Sequence, residues 1–147
     1  MKKISKGFTL IEMLIVITII ALLASLILVG MGGARAKTRD ARRIADLHNV
    51  MNALELYYAK NYYYPDESDW TGLTTALTTG NVGIHRIPQD PLNTSPTAKS
   101  YYYGVSTDGQ DYGLGADLET VDPSLNNDID GVLHGISCDD PAYCIRP

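Results

Sequence analysis

Lys6-Gly7-Phe8-Thr9-Leu10-Ile11-Glu12 joins two unlike compositions. Before it the chain is short, polar and basic, with Lys2 and Lys3. After it an apolar run continues to Val29, in which only Thr9, Glu12, Thr18 and Ser25 are polar. As a helix, residues 8–29 would extend ~33 Å, enough to cross the ~30 Å hydrocarbon core of a bilayer. A secretory signal has a shorter apolar core followed by a small-x-small cleavage site, which Gly30-Met31-Gly32-Gly33 matches poorly. Glu12 is the anomaly. A carboxylate in such a helix costs roughly 2.5–3.5 kcal/mol at mid-bilayer, less near the interface, so it needs a partner or a place at headgroup level. Flanking charge is divided: Lys2, Lys3 and Lys6 favour a cytoplasmic N-terminus, whereas Arg35, Lys37, Arg39, Arg42 and Arg43 favour the opposite.

Residues 6–12 resemble the processing signature of type IV pilins and type II secretion pseudopilins: a glycine, a phenylalanine and an acid at fixed spacing before a membrane-length run. The resemblance implies a leader peptide 1–7, cut after Gly7 by a prepilin peptidase at the cytoplasmic membrane face. It implies N-methylation of the new N-terminal Phe8, and an assembly role for Glu12 through the Phe8 amine of a neighbouring subunit. It also implies a single-pass membrane precursor with its N-terminus cytoplasmic, which a motor ATPase and an assembly platform then build into an extracellular filament.

The rest of the chain fits one further domain. Its 147 residues are too few for two globular domains plus a membrane segment. A net charge of −5 gives no general electrostatic footprint for nucleic acid, and none is expected as a partner. Residues 8–33 read as the transmembrane or filament-core helix and 34–61 as its amphipathic continuation. In the second part Ile44, Leu47, Val50, Met51, Leu54 and Tyr58 form one stripe. Pro65 disfavours helical dihedrals at Tyr64, so the helix should end near Asn61. Gly30, Gly32 and Gly33 fit two readings, a local loss of helical order or close packing of helices. The basic cluster Arg35–Arg43 reads as a solvated or lipid-facing helix surface, or as one that meets acidic patches of adjacent subunits.

Residues 62–147 read as a globular head. Ser68 or Asp69 caps a short helix over Trp70–Leu77, ended by Gly80. Tyr101, Tyr103 and Val105, then Tyr112, Leu114, Ala116 and Leu118, alternate about a Ser106–Gly109 turn, which predicts an antiparallel hairpin. A third strand is expected over Ile129–Leu133. The fold class is therefore α+β: a long N-terminal helix packed on a small antiparallel sheet. Pro88-Gln89-Asp90-Pro91 followed by tyrosine-rich strands resembles major pseudopilins and related Gram-positive-like or uncultured-lineage pilins.

Catalytic signatures are absent from the sequence. His48, His85 and His134 have no metal-ligand spacing, and no nucleophile elbow, phosphate loop or dinucleotide fingerprint occurs, so no enzyme is expected. Cys138 and Cys144 lack the C-x-x-C spacing and the second pair that a zinc site needs; if exported, they should close a disulfide loop. Asn126, Asp128 and Asp130, alternating before Gly131, resemble half a calcium loop, although Ser137 stands where an EF-hand has its last glutamate. Major pseudopilins bind calcium with a C-terminal head loop, which makes Asn126, Asp128 and Asp130 a candidate site; an Asn/Asp-rich turn is the alternative. Calcium apart, no cofactor is expected. The function implied is that of a structural subunit polymerising with itself into a type IV pilus-like filament, or alternatively that of a major secretion pseudopilin.

Overall fold

The computed structural model describes residues 7–80, 82–93 and 101–147, with side chains for all of these except 26–31. Two compact units divide the chain, 1–35 and 36–147. Helix α1 (Leu10–Asn61) contributes to both and keeps helical geometry through Gly30–Gly33.

In the first unit the helix begins at Leu10, two residues later than the expected Phe8, because Thr9 caps it. The Glu12 amide donates to Thr9 Oγ1 (3.3 Å), and Glu12 Oε2 accepts from the Thr9 amide (2.8 Å). This is a capping box, legible in Thr9-Leu10-Ile11-Glu12 but not anticipated. Thr18 Oγ1 donates to the Leu14 and Ile15 carbonyls and Ser25 Oγ to that of Leu22, so these hydroxyls are satisfied within the helix. The expected transmembrane span, 8–33, is not supported: among the described residues no helix is long and apolar enough to cross a membrane.

In the second unit, residues 36–61 of α1 bury Leu47, Val50, Ala53 and Leu54. The helix ends at Asn61, as Pro65 predicts, and Tyr62 takes a left-handed φ of 66° while its amide bonds the Tyr58 carbonyl. Helix α2 (Trp70–Thr79) is capped by Asp69, whose side chain accepts from the Gly72 amide, and it buries Leu73 and Leu77.

Strands β1 (Tyr101–Val105) and β2 (Tyr112–Asp117) form the expected hairpin, with Tyr103 opposite Leu114. Two short strands follow, β3 (Val132–Leu133) and β4 (Ile136–Ser137), and then β5 (Ala142–Ile145). The sheet order is β1-β2-β5, antiparallel throughout. The strand expected over Ile129–Leu133 is therefore corrected. Only Val132–Leu133 is extended, and it pairs with β4 in a separate hairpin. The third strand of the main sheet is β5, whose alternation puts Tyr143 and Ile145 on the α1 side and Cys144 on the other.

Each face of the sheet has its own cover. Tyr101, Tyr103, Tyr112, Leu114 and Ala116 pack with the buried stripe of α1 and with Leu73 and Leu77. Buried tyrosines keep a polar partner: Tyr103 donates to the Pro65 carbonyl (2.7 Å) and Tyr101 to Asp46 (2.8 Å). The opposite face carries glycine at 104, 113 and 115 beside Tyr102 and Cys144, and the β3–β4 hairpin lies on it. A Cβ at Gly104 would overlap the His134 carbonyl, and one at Gly113 would sit 2.8 Å from Leu133, so the hairpin requires glycine at both.

Candidate functional site

Three groups of residues carry chemistry beyond packing. The first is the N-terminal junction. Gly7, Phe8 and Thr9 precede α1 and have no regular structure, Gly7 has open space around it, and Phe8 is 76% exposed. The Gly7–Phe8 bond is thus presented outside the helix on an accessible segment. Residues 1–6, the rest of the expected leader, lie outside the described residues. Beyond the junction, Leu10, Ile11 and their successors to Leu23 are exposed on every side of the helix. A helix apolar all round is stable only when something covers it. Glu12, set in this surface, is bonded to Thr9 alone among the described residues, with Oε2 also accepting from Thr9 Oγ1 (2.6 Å).

The second group was not anticipated as a unit. Arg43, read from sequence as part of an exposed basic face, is completely buried. Its Nε donates to Asp90 Oδ2 (2.6 Å), and its Nη1 to Asp40 Oδ1 (2.8 Å) and Glu119 Oε1 (2.6 Å). Arg39 adds a two-point contact to Glu119, with Nε at 2.7 Å. Asp40, also fully buried, accepts from the Glu119 and Thr120 amides and from Thr120 Oγ1. The network ties α1 to the Pro88–Pro91 segment and to the chain leaving β2. Hydrogen bonds from Arg39 and Arg43 hold the Glu119 carboxyl down at about 2. The carboxylates around Arg43 push its guanidinium the other way, further above its ordinary value, against the effect of burial. Of the basic cluster, Arg35, Lys37 and Arg42 do remain exposed.

The third group lies at the C-terminal end. Cys138 and Cys144 form a disulfide, both sulfurs buried beneath the outer face of the sheet with Ile136. Asp128, Asp130 and Asp140 each bring a carboxylate oxygen to within 4.8 Å of the others. Two of these were expected; Asp140, inside the disulfide loop, was not. The Asn126 amide instead donates to the Pro123 carbonyl (3.2 Å). Asp128 Oδ2 accepts from the Cys144 amide (2.9 Å), while its Oδ1 is buried without a hydrogen-bond partner among the described residues. Burial, aided by Asp130 and Asp140, raises the Asp128 carboxyl pKa. The histidines play no part: His48 and His85 are exposed, and His134 Nε2 lies 2.9 Å from Asp111.

Comparison with known proteins gives the same direction. A family model described as the prokaryotic N-terminal methylation motif matches residues 2–28. The chain is similar to the type II secretion system core protein G of Vibrio cholerae serotype O1, 31% identical over 137 residues, covering 80% of this chain and 94% of that protein. It is 32% identical over 100 residues to the same component of Pectobacterium carotovorum, covering 60% of this chain but only 63% of the relative. Similarity also extends to the type IV wide pilus major component PilA4 of Thermus thermophilus, 42% over 60 residues, covering 41% of this chain and 46% of that protein. No solved structure matches. With a methylation motif at its start and a relative aligned over nearly its whole length, the chain belongs to the family of type IV pilins and type II secretion pseudopilins.

Proposed function

We propose that this chain is the structural subunit of a type IV pilus-like surface filament. It is cleaved between Gly7 and Phe8, methylated on Phe8, and held in the cytoplasmic membrane with its N-terminus inside until it polymerises with other copies. The observation that carries this reading is the all-round apolar surface from Phe8 to Leu23, exposed in a single subunit behind an accessible processing site. Lipid covers it first and the helices of other copies afterwards. Moving an apolar helix from lipid to a protein core gains little net hydrophobic free energy, so the motor ATPase and assembly platform of the family must supply work.

Glu12 gives the polymer its register. Cleavage creates a cationic amine on Phe8, and an axial stagger brings the Glu12 carboxylate of one copy to the amine of the next. Until then Thr9 satisfies the carboxylate locally. The role is structural and not catalytic.

A second reading, major subunit of a secretion pseudopilus, is favoured by the alignment over 94% of the Vibrio cholerae protein and by the Asp128–Asp130–Asp140 group. The carboxylates fit calcium: they are hard oxygen donors, and Asp128 Oδ1 is a buried oxygen that lacks a donor. When bound there, the ion would neutralise crowded charge and fasten the C-terminal loop.

Expression with a prepilin peptidase and an assembly platform tests the proposal. Filaments sheared from the cells should contain this chain; a full-length chain retained in the membrane contradicts it. Deleting the gene separates the readings: loss of surface filaments supports the pilus, and accumulation of unsecreted exoproteins in the periplasm supports the pseudopilus.

A further inference from the structure

The head carries a groove of about 810 Å³ between the 66–69 segment, strand β1 and the β3–β4 hairpin. Among the described residues β1 is an edge strand, with β2 as its one neighbour in the sheet. Five carboxylates line the groove, from Asp66, Glu67, Asp69, Asp117 and Asp139; no lysine or arginine does, and the lining histidine, His134, is engaged by Asp111 (2.9 Å). Asp69 is engaged as the cap of α2, and Asp117 accepts from the Tyr102 hydroxyl (2.8 Å). Among the described residues no ion pair involves Asp66, Glu67 or Asp139. Charge on an open strand edge guards it against pairing with stray chains. A one-signed concave surface also selects a partner of opposite sign.

That opposite sign is carried on α1. Arg35 and Arg42, seven positions apart, share one helical face, and both are exposed. Arg42 has only a long contact to Asp46 (3.8 Å), and Arg35 has no ion pair among the described residues. Their neighbours Arg39 and Arg43 are consumed by the buried network, so these two are what the basic run leaves over on this face.

We infer that the acidic groove receives the Arg35–Arg42 face of α1 from a second copy of the chain. Head and stem would then carry the two halves of a self-complementary contact repeated along the polymer. The inference rests on the filament reading and specifies its partner surface.

The test uses the full chain with its assembly machinery. Wild type is assayed first; if it yields no filaments, the filament reading fails and not the contact. Asp66→Lys with Asp139→Lys should lower filament yield about tenfold or more, through like charges brought together. Subunit level and protease resistance of the head should stay as in wild type. Adding Arg35→Glu and Arg42→Glu to that chain should recover most of the yield. Unchanged yield after the first reversal, or no recovery after the second, overturns the inference. A second measurement holds even if the reversal disturbs folding: Asp66→Cys with Arg42→Cys should give disulfide-linked ladders in sheared filaments, and filaments without ladders contradict the contact.

Discussion

The two halves of the chain treat charge in opposite ways. In the head, Arg43 is fully buried yet meets three carboxylates, and Asp40 beside it accepts from two amides and a hydroxyl. In the N-terminal helix, Glu12 sits on an exposed apolar surface with Thr9 as its one partner among the described residues. The buried charge of the second unit is satisfied within one subunit, whereas the apolar surface of the N-terminal helix is left exposed. Buried charge serves where its partners are built in, and left-over charge on an apolar surface points to another molecule.

The largest effect should come from the half whose apolar surface is exposed. Glu12→Val should leave the head folded and the subunit inserted, yet abolish filaments in cells lacking the wild-type chain. Thr9→Ala, which removes the cap and the hydroxyl bond to the Glu12 carboxylate but keeps that carboxylate, should leave assembly largely intact, with a helix-end loss of about 1 kcal/mol. Normal filaments from Glu12→Val would remove the contrast.

The next effect belongs to the half whose buried charge is satisfied. Arg43→Met leaves three carboxylates facing each other and should destabilise the head by about 3–5 kcal/mol in thermal or urea unfolding. A loss below about 1 kcal/mol would show that water reaches the network.

The disulfide comes third. Closing so short a loop contributes somewhat under 3 kcal/mol in the chain-entropy model. Reduction, or Cys138→Ser with Cys144→Ser, should make the C-terminal tail sensitive to limited proteolysis. Full titration of free thiols in protein from the cell surface would contradict the bond. In the same assay calcium should protect the tail, and Asp128→Asn should abolish that protection. Because burial raises the Asp128 carboxyl pKa, ionised Asp128 opposes folding above its unfolded value. Asp128→Asn should therefore raise head stability in chelator at neutral pH.

The smallest effect is an acid transition. Glu119, held at about 2 in the fold, contributes stability that is present above its unfolded value and is lost as pH falls toward 2. Glu119→Gln should flatten that part of the stability-versus-pH curve.

Local signals in the sequence were informative wherever the cause was local. Pro65 placed the end of α1, Asp69 the start of α2, and tyrosine alternation the β1–β2 hairpin. Arg43 could not be read this way: two of its partners, Asp90 and Glu119, stand 47 and 76 positions away, and an arginine inside a basic run looks solvated. Asp140 was missed for a similar reason, since the disulfide and not spacing brings it to Asp128. β5 was missable but not hidden, because Ala142-Tyr143-Cys144-Ile145 alternates as a strand should. The capping box has an equally local cause, Thr9 and Glu12 standing three residues apart at the start of α1.

If the exposed apolar helix of one subunit is covered by other processed copies, sheared surface filaments hold only the processed chain. Intact-mass and N-terminal peptide analysis of those filaments should give a chain beginning at Phe8, one methyl group heavier than its sequence. Filaments built from a chain that still begins at Met1 would rule out assembly through a processed N-terminus.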